Sequence, residues 1–184
     1  MENGKRETGM NIGARQLAVA GVLTAMTVVT TVFTRIPVSI IQGYFNLGDT
    51  VILVAGVLSG SFAGAFAGAA GSAVADILTG AYIFAPITLV VKGLEGFIAG
   101  ELSGAEHHEK PKRRKLTLAL AAGACAMVAG YFIAESSVLA LFDRAFGFAA
   151  AVAELPVNLA QGGISVALAR LAIEGLRRSK IVRI

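Results

Sequence analysis

Glu154, Asn158 and Gln161 follow one another at intervals of four and three. On a helix that spacing puts all three on one face. A carboxyl and two amides on one face can hold a small polar molecule by hydrogen bonds. Lys92 and Glu95 stand three apart in another apolar run, Glu135 sits in a third, and Asn46 lies just before Asp49. Charged groups inside a membrane either face an internal cavity or pair with one another. Two readings are therefore open: a polar pocket, or internal salt bridges such as Lys92 with Glu95 at i,i+3. Asp76 can likewise touch a ligand or simply cap a helix end. No Ser-His-Asp or zinc-protease spacing appears, so nothing predicts an enzyme. The glycine-rich run has no phosphate-loop lysine, which argues against nucleotide hydrolysis. No cofactor is implied. His107 and His108, between Glu106 and Glu109, read as a solvated loop and not a metal site. The single Cys125 rules out an internal disulfide and reads as a small apolar filler.

These residues need elements to position them, and composition says which kind. Of 184 residues, 55% are hydrophobic and 15% charged, against about 25% charged in soluble domains. The chain predicts a multi-pass protein of the cell membrane, in one domain. Residues 1–13 form a polar head. The apolar run Leu17–Phe33 is longer than a signal-peptide core and lacks a clear cleavage site, so it reads as a retained first helix.

Four spans are plain: Ala14–Thr34, Pro86–Leu102, Leu116–Phe142 and Ala150–Leu176. The uncharged stretch 50–75 fits either one long helix or two short ones. Cytoplasmic flanks carry the excess of Lys and Arg. Lys5, Arg6 and Arg15 lie in the head. Lys110, Lys112, Arg113, Arg114 and Lys115 lie in one loop. Arg177, Arg178, Lys180 and Arg183 lie in the tail. All three clusters face the same side only if 50–75 is a pair of helices turning near Ser59–Ser61. The expectation is an all-α bundle of six transmembrane helices with both termini cytoplasmic. Helices 1–4 occupy 14–102, a basic loop 103–115, helices 5 and 6 116–178, and the tail 179–184. No nucleic-acid partner is implied, because the basic flanks serve topology.

This topology assigns depths. Helix 4 enters from outside near Pro86, which puts Lys92 roughly 9 Å and Glu95 roughly 13 Å into the membrane. Glu135 and the helix 6 triplet also fall in the outer half. The inner half is apolar, which leaves a standalone carrier or channel without a polar path. A purely structural bundle remains the other alternative.

Gly60, Gly64, Gly68 and Gly71 fall on one helix face, a pattern that lets backbones approach closely. Ala14, Ala18, Gly21 and Ala25 form a similar strip on helix 1. That strip either packs inside the bundle or docks another membrane protein. Arg35–Asn46 holds Pro37, Gly43, Tyr44 and Phe45. It reads as a connector with interfacial aromatics or as a cover over an outward pocket.

A family resemblance rests on an ordered set of segments. GYFNLGD (43–49) precedes a Gly/Ala-rich hairpin ending in SAVADILTG. APITLVVKGLEGFIAG, GYFIAE and ELPVNLAQGG follow. Across nearly the whole chain this resembles the substrate-binding S component of an energy-coupling factor (ECF) vitamin transporter. The similar branch includes riboflavin-, hydroxymethylpyrimidine- and pyridoxine-type members. The resemblance implies a six-helix bundle that captures a vitamin or precursor outside. It implies docking on a transmembrane coupling subunit driven by two cytoplasmic ATPases, through Ala14, Ala18, Gly21 and Ala25. It also implies a lid at Pro37–Asn46 and substrate contacts at Asn46, Lys92, Glu95, Glu135, Glu154, Asn158 and Gln161. Apart from Lys92 the charged candidates are acidic. An aminopyrimidine or pyridinium ring suits them, so hydroxymethylpyrimidine or pyridoxine is expected first and riboflavin next.

Overall fold

Glycine and proline punctuate the apolar runs, and the helices begin and end there. The computed structural model describes residues 13–38, 43–104 and 111–179. Helix α1 spans Ala14–Phe33. A short antiparallel ribbon follows, β1 (Ile36–Pro37) paired with β2 (Tyr44–Phe45). Helix α2 spans Gly48–Ser59 and α3 spans Ser61–Leu78. Between them Gly60 adopts φ 93°, which a side chain would strain. The turn falls where the charge argument puts it. Gly60 is thus the corner itself and not part of the helical glycine face.

Helix α4 spans Ala85–Ser103, with Pro86 in its first turn, where a missing N–H does no harm. Helix α5 spans Arg113–Leu141 and α6 spans Phe148–Arg178. Four of the helices, α1, α3, α5 and α6, are long and apolar enough to cross a membrane. Helix α2 is apolar but shorter. Helix α4 is long enough but carries Lys92, Glu95 and Glu101. Two helices contain a π-helical turn: α3 at Ala67–Gly71 and α5 at Ala134–Val138. Lys5, Arg6, His107, His108, Lys110, Lys180 and Arg183 lie outside the described residues.

The exterior is greasy and the interior small. Leu17, Val22, Phe33, Leu118, Ile133 and Leu171 are exposed, while buried positions are mostly alanine and glycine with a few large side chains. Lipid tails are as apolar as leucine, so helices associate by close packing instead of by expelling water. Glycines on α2, α3 and α4 let three backbones meet. A Cβ on Gly56 would stand 2.5 Å from the Gly96 carbonyl oxygen, and one on Gly100 would stand 2.5 Å from the Ser61 Cα. Gly64 and Gly68 face α4 in the same way, whereas Gly71 faces Thr24 and Thr27 of α1. The glycine face predicted on α3 therefore serves two neighbours.

Leu53, Val57, Leu116, Leu120, Ala169 and Ile173 fill the half of the bundle next to the basic flanks. At the opposite end Ala81, Phe84 and Leu139 form a smaller cluster against Tyr44, Tyr131 and Phe146. Cys125 is exposed on the outer face of α5. It is not the interior filler its size suggests, because Gly123, Ala124 and Met127 take the buried positions around it.

Candidate functional site

The buried polar residues converge between the β-ribbon and helices α4, α5 and α6. Asn46, Glu135, Glu154, Asn158 and Gln161 line one cavity there. Five of the seven residues expected in a substrate site thus line one cavity. The spacing of four and three puts the α6 triplet on its buried face. Pro156 lies inside this helix. Its missing N–H removes a backbone bond one turn back, in the stretch that carries Glu154. Glu135 enters from α5 on the π-helical turn. Such turns shift the helix register and often mark functional sites.

Lys92 and Glu95 are placed differently. They face the core behind the cavity. The Lys92 ammonium pairs with Asp49 of α2 and stands 3.5 Å from Glu95. Asp49 also accepts a hydrogen bond from Gln161 Nε2 at 2.8 Å. Gln161 Oε1 in turn accepts the Asn46 backbone N–H at 2.8 Å. One polar chain thus runs from the ribbon through α6 into the α2–α4 interior. Its job at Gln161 is to fix the amide that faces the cavity.

The cavity lining also includes residues the spacing argument passed over. Tyr44, Phe84, Thr88 and Tyr131 line the same cavity. The Thr88 and Tyr131 hydroxyls lie 2.9 Å apart. Both were findable: Thr88 precedes Lys92 by four and Tyr131 precedes Glu135 by four, which is one helix face each. Tyr44 is half-buried, not an interfacial anchor. Its hydroxyl donates to Asp76 of α3. Burial first, and the Asp76 carboxylate next, raise the hydroxyl above its ordinary pKa, so it stays a donor. The Arg35 guanidinium stacks over the Tyr44 ring at 4.1 Å and donates to the Thr79 carbonyl at 2.9 Å. Asp76 is therefore neither a plain helix cap nor a cavity-lining group. It is the anchor of the ribbon.

The ribbon is held closed over the cavity from two sides, by Asp76 of α3 with Thr79 just beyond it and by Gln161 of α6. Gly43 presses onto Glu154 so closely that any Cβ there would collide with the carboxyl group. The cavity as it stands has about 30 Å³ of free volume, room for two or three waters. Tyr44→Phe removes one latch and leaves the buried Asp76 with one donor fewer. That change is expected to cost about 1–3 kcal/mol. Hydrogen exchange at the Tyr44–Leu47 amides should then speed up about 5- to 150-fold; unchanged exchange would show that the latch holds nothing.

Elsewhere, Ala14, Ala18, Gly21 and Ala25 all lie on the exposed side of α1. The side of α1 facing the bundle carries Ala20, Thr27 and Thr31. A Cβ added to Gly21 would meet nothing within 4 Å. The strip is not consumed in packing α1 to its own bundle. Among the described residues, no group of three or more metal-ligating side chains occurs.

Comparison with known proteins gives this geometry a family. A solved S component of a bacterial ECF transporter superposes with a TM-score of 0.67 over 91% of this chain and 98% of that one. At 16% identity, that likeness speaks for the fold. An uncharacterised protein of Pyrococcus woesei is 39% identical over 104 residues, which is 56% of this chain. The matched part spans 66% of that relative's length. The sequence profile described as ECF-type riboflavin transporter, S component, matches residues 11–178. That match covers every helix described above, and the chain belongs to the family of ECF-type riboflavin transporter S components.

Proposed function

We propose that this chain is the substrate-capture subunit of an ECF-type importer in the plasma membrane, with six spans and both termini in the cytoplasm. It binds a vitamin or vitamin precursor from outside and passes it on through a coupling subunit driven by two ATPases. The observation that carries this reading is the lidded polar cavity at one end of the bundle. The half next to the basic flanks is filled mainly by Leu53, Leu116, Leu120 and Ile173, so among the described residues no buried charged group continues the cavity through it. That disfavours a standalone channel. The exposed small-residue strip on α1 supports docking on a coupling subunit, because backbones approach where side chains are small.

Ligand sites usually enclose about 300–1,000 Å³, far more than the present cavity. Binding must therefore lift the ribbon and part Gly43 from Glu154. The family's description points to riboflavin, and the acidic wall favours hydroxymethylpyrimidine or pyridoxine. Mass spectrometry of small molecules released from the purified chain, then titration, decides among them. Asn158→Ala removes an amide from the cavity wall. It is expected to weaken the released ligand about 10- to 100-fold. A purified chain that is empty and binds none of the three would overturn the capture role.

A further inference from the structure

We infer that Glu135 and Glu154 form a two-carboxyl clasp that selects a ligand edge rich in N–H donors or carrying positive charge. The inference rests on the S-component reading and deepens it. The two carboxyl groups come from different helices and meet at the cavity. Both side chains are buried, at 2% and 5% exposure. The Oε1 atom of each has no hydrogen-bond partner among the described residues.

A pair of buried carboxyls with acceptors to spare is unfavourable unless something supplies donors. No ion pair among the described residues reaches either carboxyl. Among the described residues, Lys92 is committed to Asp49 and Glu95, and Arg170 to Glu174. Arg35 is committed to Tyr44 and Thr79. The same cavity is also lined by the rings of Tyr44, Phe84 and Tyr131. Aromatic faces attract cations and flat π systems. Carboxyls and aromatic rings around one cavity suit a flat heterocycle with an exocyclic amine or a protonated ring nitrogen. A ligand edge made of carbonyl acceptors would set oxygen against oxygen.

The test compares three probes by titration of the purified full chain. One is hydroxymethylpyrimidine, which carries an exocyclic amine. The second is the matched pyrimidinone, in which a carbonyl replaces that amine. The third is riboflavin. The unmodified chain is expected to prefer the amine over the carbonyl by about 10- to 100-fold. In the combined Glu135→Gln and Glu154→Gln variant that preference should fall towards parity. The ligand-free melting temperature serves as the folding control, and each single substitution repeats the ratio if the pair fails to fold. Equal binding of the two pyrimidines, or a preference that survives the substitutions, overturns the clasp. Binding of riboflavin alone overturns the clasp and leaves the capture role standing. Binding of none of the three overturns both.

Discussion

Lys92→Met should destabilise the bundle by about 3–5 kcal/mol, because it strands two buried carboxylates. Lys92 is 3% exposed, and Asp49 and Glu95 are fully buried. Its ammonium is the only cation the structure brings to either acid among the described residues. The destabilisation should appear as a drop of about 6–20 °C in Tm. It has a specific rescue. Adding Asp49→Asn and Glu95→Gln to Lys92→Met removes the stranded charge. Replacing a whole buried ionic set by neutral groups of similar volume is often close to neutral. The triple variant should recover most of the lost Tm. Without such recovery, shape at Lys92, and not charge, would be what matters.

The same triple variant separates stability from binding. Asp49 holds Gln161, and Gln161 holds the ribbon at Asn46. Asn at position 49 offers one acceptor oxygen where the aspartate offers two. The recovered bundle should therefore still bind ligand more weakly than the original chain. A fully restored affinity would show that Gln161 needs no support from Asp49.

The second large effect is expected at the glycine contact between α3 and α4. A Cβ on Gly96 would run into the Gly64 peptide and stand 3.0 Å from the Ala65 nitrogen. These are backbone atoms, so no side chain can rotate away. Gly96→Val forces the two helices apart and should cost about 3 kcal/mol or more. Thermal unfolding of the purified chain in detergent measures it. Gly163→Ala is the contrast, since nothing lies within 4 Å of the added atom. There alanine should leave Tm unchanged or slightly raised, because it is the better helix former. If both glycines respond alike, close backbone approach is not what they provide.

Both experiments probe how a polar site survives inside an apolar bundle. The glycines draw α2, α3 and α4 together, and that approach brings Asp49 within reach of Lys92. The ion pair then fixes Gln161, which joins the ribbon and the cavity wall. Packing, charge pairing and site geometry are links of one chain, so damage to either of the first two should reach the third.

How much of this was legible beforehand follows from what each signal measures. Apolar length and the placement of basic residues are local or one-dimensional quantities. They located the helices, the corner at Gly60 and the polar end of the bundle. Spacing of four and three is also local, and it put Glu154, Asn158 and Gln161 on one buried face. The same arithmetic reached Thr88 and Tyr131 only in retrospect, because an uncharged hydroxyl in an apolar run attracts no notice.

Pairing is not local. Lys92 has an acid three residues away in Glu95, and sequence distance favours that partner. The tighter partner is Asp49, 43 positions earlier, brought close because glycine lets α2 and α4 nearly touch. Tyr44 meets Asp76 across 32 positions for a similar reason: the ribbon folds back over the end of α3. The π-helical turn that carries Glu135 has no period of its own in the sequence. The exposed side of α1 and of Cys125 depends on which neighbour each helix chooses. Sequence by itself determined which groups must be buried and at which end, since solvation and helical period act residue by residue. Tertiary structure alone decided which buried group answers which, because that depends on distances between helices that only packing sets.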